Sequence, residues 1–154
     1  MNPKLAELLS VAAGGPIHWS GKCVHMMYEL PGSLTSQGLM IRFAQPSPAR
    51  PQGLRIRVRG GLIELNGRQL NDVVLWSDTA PDTVFVQFLP AAGETSMTVR
   101  VWNAWRDTSG TMQTWIGNAG MLVEPKEDGS TVLRCSDGFG EPSFDDLVAV
   151  LSPE

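Results

Sequence analysis

The sequence predicts an all-β protein: an antiparallel two-sheet sandwich, jelly-roll-like, with a short N-terminal helix. Three observations carry that expectation. Apolar and polar residues alternate in segment after segment, most cleanly in Leu54-Arg55-Ile56-Arg57-Val58-Arg59, the period-2 pattern of strands with one face in a core. Turn residues separate these segments, and the 16 glycines and 11 prolines are scattered among them rather than clustered, as short antiparallel strands require. Beyond the first dozen residues no helical period appears. A length of 154 residues suits one core, so residues 1–154 read as a single domain, with residues 1–15 holding the helix.

In that helix Asn2 is the expected cap, Pro3 the first helical residue and Gly14-Gly15 the stop. Leu5, Leu8, Leu9 and Ala12 share one face. Glu7 interrupts the apolar stretch, so it does not read as a secretory leader, and a cytoplasmic location is expected. No apolar run is long enough to cross a bilayer. The segment holding His18, Ser20, Cys23 and His25 reads as a connection before the sheets. Strands follow at 39–44, 54–59, 62–65, 71–77 and 83–89, the last apolar on both faces and therefore central. Residues 45–53 form a proline-rich loop, Gly60-Gly61 a tight turn or bulge, and Asn66-Gly67 a type I′ hairpin turn. Further turns fall at 78–82 and 90–94, and further strands at 97–102, 111–116, 120–124, 131–135 and 146–151.

The segment richest in recognition chemistry is Trp102-Asn103-Ala104-Trp105-Arg106. Met97, Val99 and Val101 share the core face, so Trp102 falls with Thr98 and Arg100 on the other. An exposed indole beside an amide and a guanidinium suits a sugar: the ring stacks on a pyranose and the polar groups bond its hydroxyls. The alternative is that both tryptophans cover the end of the core, with Arg106 stacked on one of them. Gln113 and Trp115 share a strand face, and Asn118 sits in a Gly117-Asn118 turn. These three extend the candidate ligand surface, or simply make a hairpin.

The segment Phe144-Asp145-Asp146-Leu147-Val148-Ala149-Val150 resembles the closing strand of galactose-binding-like jelly rolls. With the strand count and the Trp102/Trp105 pair, the chain is similar to carbohydrate-binding modules. The resemblance implies aromatic platforms with polar loop residues, here Trp102, Asn103, Trp105 and Arg106, and a family in which calcium is often structural.

Charge is unevenly spread about a net −4. From Arg42 to Arg68 positive charge exceeds negative by five; from Gln69 onward negative exceeds positive by nine. Arg55, Arg57 and Arg59 share one face, joined by Arg42 and Arg100 as a candidate interaction face. Acidic groups of the same chain, or of a second copy, are expected to lie against it. The acidic balance disfavours a nucleic-acid partner. Cys23 and Cys135 read as two reduced thiols. The acidic loop 137–146 lacks EF-hand spacing and reads as solvated. Cys23 and His25, with His18, are a remote candidate for metal ligation or nucleophilic catalysis, lacking a fourth ligand or an orienting group. No metal or other cofactor is expected. The function expected is a non-catalytic ligand-binding or interaction domain, carbohydrate first. A homo-oligomeric or adaptor protein is the alternative, and an enzyme the third.

Overall fold

The structure is a computed structural model that describes residues 3–13, 15–46, 50–93 and 96–154. Two antiparallel sheets form a sandwich. Seven strands run in the order β12 (Gly120–Pro125), β13 (Thr131–Ser136), β14 (Leu147–Pro153), β4 (Leu39–Pro46), β9 (Thr83–Pro90), β6 (Gly61–Leu65) and β7 (Arg68–Leu70). The other sheet runs β11 (Met112–Gln113), β10 (Thr98–Arg106), β5 (Gln52–Arg59) and β8 (Asp72–Trp76), with β3 (Tyr28–Glu29) also paired to β10. Alternation decides what each sheet buries. Leu54, Ile56 and Val58 of β5 and Val99 and Val101 of β10 meet Leu39, Ile41, Val84, Val86 and Leu133 of the larger sheet.

The hairpin turn at Asn66-Gly67 is as expected, with φ of 51° and 78°, because a type I′ turn needs positive φ at both positions. Strand β9 departs from expectation. It lies between β4 and β6, yet only alternate residues are buried, and Phe85 is 54% exposed. Two-sided hydrophobicity here supplies an open apolar spot rather than a second core.

Helix α1 spans Leu5–Val11, shorter than expected. Asn2 and Gly14 lie outside the described residues. Pro3 precedes the helix rather than opening it, and the N-cap is Lys4, which makes no side-chain cap. A distant loop does that work: Asn118 Oδ1 accepts from Leu5 N at 3.1 Å and Gly117 O accepts from Ala6 N at 2.9 Å. Leu5 and Leu9 pack with Val24 and Phe144 in a satellite cluster. Val24 belongs to a hairpin of β1 (Ile17–Trp19) and β2 (Lys22–Val24). The sequence reading missed this hairpin as well as β3 and the short helix α2 (Gly32–Thr35).

Candidate functional site

The expected tryptophan platform is not on the surface. Strand β10 pairs Trp102 with Arg55 and Arg100 with Arg57, so the predicted parity is correct: Trp102 does lie on the arginine face. It is nevertheless 2% exposed. Trp115 lies against it with ring centroids 4.8 Å apart, and the Arg55 and Arg57 guanidiniums sit 5.5 and 5.6 Å from its ring. Trp115 is itself anchored by Nε1, which donates to Met26 O at 3.1 Å. Asn103 and Trp105 point to the opposite face and are also buried. Asn103 Nδ2 donates to Ser136 O at 3.0 Å. Trp105 is pressed against Gly138, where an added Cβ would stand 2.6 Å from Cζ2. Arg106 stacks on Trp76, at 4.2 Å, rather than on either tryptophan of its own strand.

The second group is committed to structure as well. The expected strand over 111–116 ends at Gln113, and Trp115 takes a left-handed φ of 60°, so these two do not share a strand face. Gln113 Nε2 donates to Asp107 Oδ2 at 2.9 Å. Hydrogen bonds from the Ser109 hydroxyl, from Gln113 and from Thr111 N hold the Asp107 carboxyl down to about 2. Asn118 caps α1 and donates to Gly140 O.

The arginine face is paired in part within the chain, with two acids set against its four arginines Arg55, Arg57, Arg59 and Arg100. Asp72 receives Arg55 Nε and Nη2 at 2.9 and 2.8 Å, and Arg57 Nη2 at 2.8 Å. Glu29 faces Arg100 at 3.5 Å. The Arg55 hydrogen bonds lower the Asp72 carboxyl and raise the Arg55 guanidinium. Arg59 continues the same face, but Arg42 lies in the other sheet, opposite Thr83. A salt bridge on an open face stabilises by roughly 0.2–1 kcal/mol. Arg57→Glu, which replaces a pair by a repulsion, is expected to cost about 1 kcal/mol. Urea unfolding checks this, and the loss is expected to shrink in molar salt.

The acidic loop is not simply solvated. Asp137 is 1% exposed. Its Oδ2 accepts from Arg50 Nη1 at 2.9 Å and Gln52 Nε2 at 3.0 Å, and its Oδ1 from Phe139 N at 3.0 Å. Arg50 also stacks on the Phe139 ring at 3.9 Å. Asp146 Oδ2 accepts from Asp137 N, and burial, then the charge of Asp137, raises the Asp146 carboxyl. Both acids thus turn to protein donors. Among the described residues no group of three or more His, Cys, Asp or Glu is placed to hold a metal.

The histidine–cysteine segment proves to be ordered. Cys23 Sγ lies 3.8 Å from His25 Nε2, and burial lowers the His25 imidazole. Cys23 is exposed; Cys135 is wholly buried, which raises its thiol, and the two are not bonded.

An open cleft does exist, at the side of the sandwich between β8 and β9. It has a volume of about 260 Å³. Its walls include Trp76 and the exposed ring of Phe85, and its polar groups include Asn66, Thr79 and Thr83. A groove of about 320 Å³ between α1 and Trp115 is lined by Ala6, Leu9, Ala13 and Met26, with Ser10 its one hydroxyl. The cleft at Trp76 joins two aromatic walls to several polar groups, the combination a small-ligand site needs, whereas a wider depression of about 850 Å³ beside α1 has one aromatic, Trp19, among Lys4, Glu7, Ser20, Asn118 and Glu141. Sequence reasoning passed over both aromatics. Trp76 stood at a strand end and Phe85 in a strand read as central. Comparison with protein-family models, curated proteins and solved structures finds no significant match.

Proposed function

We propose that this is a non-catalytic binding domain whose ligand, of carbohydrate class, docks at the cleft between β8 and β9. One observation carries the reading: the Phe85 ring, 54% exposed, shares an open cleft with Trp76 and with the Asn66 amide and Thr79 and Thr83 hydroxyls. An aromatic wall covers the apolar face of a sugar ring, and amide and hydroxyl groups bond its edge. The volume suits one sugar unit or one side chain rather than a long substrate. Acids of the same chain compete with self-association through the arginine face, since Asp72 and Glu29 already lie against Arg55, Arg57 and Arg100.

The test is a glycan array on the purified protein, followed by titration calorimetry with Phe85→Ala and Thr83→Ala. A wild-type glycan ligand is expected, with affinity falling about tenfold or more in Phe85→Ala. The melting temperature of that variant should barely move, since the ring is mostly in solvent. An array with no ligand, or binding indifferent to Phe85, overturns the reading.

A further inference from the structure

We propose that the outer face of the β1–β2 hairpin is a Zn²⁺ site formed by Cys23, His25 and His18. Alternation sorts the hairpin into two faces. Ile17 pairs with Val24 and Trp19 with Lys22; Ile17, Trp19 and Val24 pack on the satellite core of α1 and Phe144. His18 pairs directly with Cys23, and directly opposed residues project to the same side, with Cβ atoms roughly 4.5–5.5 Å apart. His25 follows Cys23 by two and falls on that side too. The hairpin and the residue after it thus put a thiol and two imidazoles on the face opposite the satellite core, His18 and Cys23 exposed and His25 half-buried where it bridges to the buried Met121.

The Cys23–His25 distance matches a shared metal. With Zn–S near 2.3 Å and Zn–N near 2.0–2.1 Å, a tetrahedral angle puts sulfur and nitrogen roughly 3.6 Å apart. The observed Sγ···Nε2 separation is 3.8 Å, so a small side-chain adjustment suffices. The His25 backbone is held by reciprocal bonds with Met121, at 2.8 and 2.9 Å. Its ring meets Tyr28 edge-on at 6.1 Å. His18 does not yet converge on the pair, since no three such side chains are gathered among the described residues. It is exposed, so turning its side chain inward displaces no core packing. Binding replaces the Cys23 S–H bond by an S–Zn bond and releases the proton to solvent. Water takes the fourth position, as in open zinc sites. A thiolate with two imidazoles selects Zn²⁺ over Mg²⁺ and Ca²⁺, which prefer oxygen. The fold does not depend on this ion, because the hairpin is already held by its apolar face.

Reduced, chelator-treated full-length protein is titrated with Co²⁺ and then with Zn²⁺. A near-ultraviolet thiolate-to-cobalt band is expected, displaced by stoichiometric Zn²⁺ at micromolar concentration or below. Cys23→Ser, an exposed change, should abolish the band. His18→Ala should weaken Zn²⁺ binding by about tenfold or more, and Zn²⁺ should slow alkylation of Cys23. Absence of the band, its survival in Cys23→Ser, or binding only at millimolar Zn²⁺ overturns the site. An affinity unchanged in His18→Ala overturns the three-ligand assignment.

Discussion

Trp102→Ala is expected to lower the melting temperature by on the order of 10 °C, whatever it does to ligand binding. The indole is 2% exposed and lies against Trp115, with two guanidiniums beside it. Truncating a buried aromatic of this size typically costs about 3–5 kcal/mol, through lost burial and the cavity left behind. For a domain of this length each kcal/mol moves the melting temperature by roughly 2–4 °C. Trp102→Phe supplies the internal control. Trp102 Nε1 is buried without a hydrogen-bond partner, so phenylalanine loses ring volume but also removes an unsatisfied donor. Its cost is expected to be less than half that of alanine. Thermal and urea unfolding of both variants check the pair. A loss of under about 2 °C in the alanine variant would contradict the burial.

Asp137→Ala is the second large effect, expected at about 2–4 kcal/mol. The carboxylate receives Arg50, Gln52 and Phe139 N at one end of the sandwich. Removing it strands these donors. Gln52 is fully buried and its Oε1 already lacks a partner, as does Nε1 of its cross-strand neighbour Trp105. A third orphan beside those two is costly, because a buried polar group without a partner loses its full solvation. Asp137→Asn keeps one acceptor oxygen but points an amide at donors, so it should recover part of the loss. Arg50→Ala should cost less than Asp137→Ala, since Arg50 is 25% exposed and water can serve the carboxylate from that side. Chemical denaturation of the three variants gives the ranking. Equal stability of Asp137→Ala and wild type would overturn the clamp.

The candidate site shows where residue patterns stop being informative. Alternation places Trp102 on the correct face, and of the two environments open to it, surface platform or cover for the core, the structure takes the second. Its cover, Trp115, is anchored to a carbonyl 89 residues away in sequence. Asp137 looked like one acid of a polar turn, and its partners Arg50 and Gln52 lie 87 and 85 residues earlier. The Cys23–His25 pair was visible by spacing, but the hairpin that sets His18 opposite Cys23 was not. Its turn, Ser20-Gly21, has φ of 51° and 78°; a Ser-Gly dipeptide is itself a turn signal.

Several features follow from the sequence alone: the all-β class, the strands from Leu39 onward in outline, the Asn66-Gly67 turn, and the face on which Arg55, Arg57, Arg59 and Trp102 fall. These depend on local sterics and on a repeat of two residues, both properties of short stretches of chain. Tertiary structure decided what covers each face. It placed Trp115 over Trp102, set Asp72 between Arg55 and Arg57, closed Asp137 behind Arg50, and left Phe85 open beside Trp76. Coverage is a property of loops and strands remote in sequence. Alternation states which way a side chain points, while the free energy of burying it depends on what the rest of the chain brings to meet it.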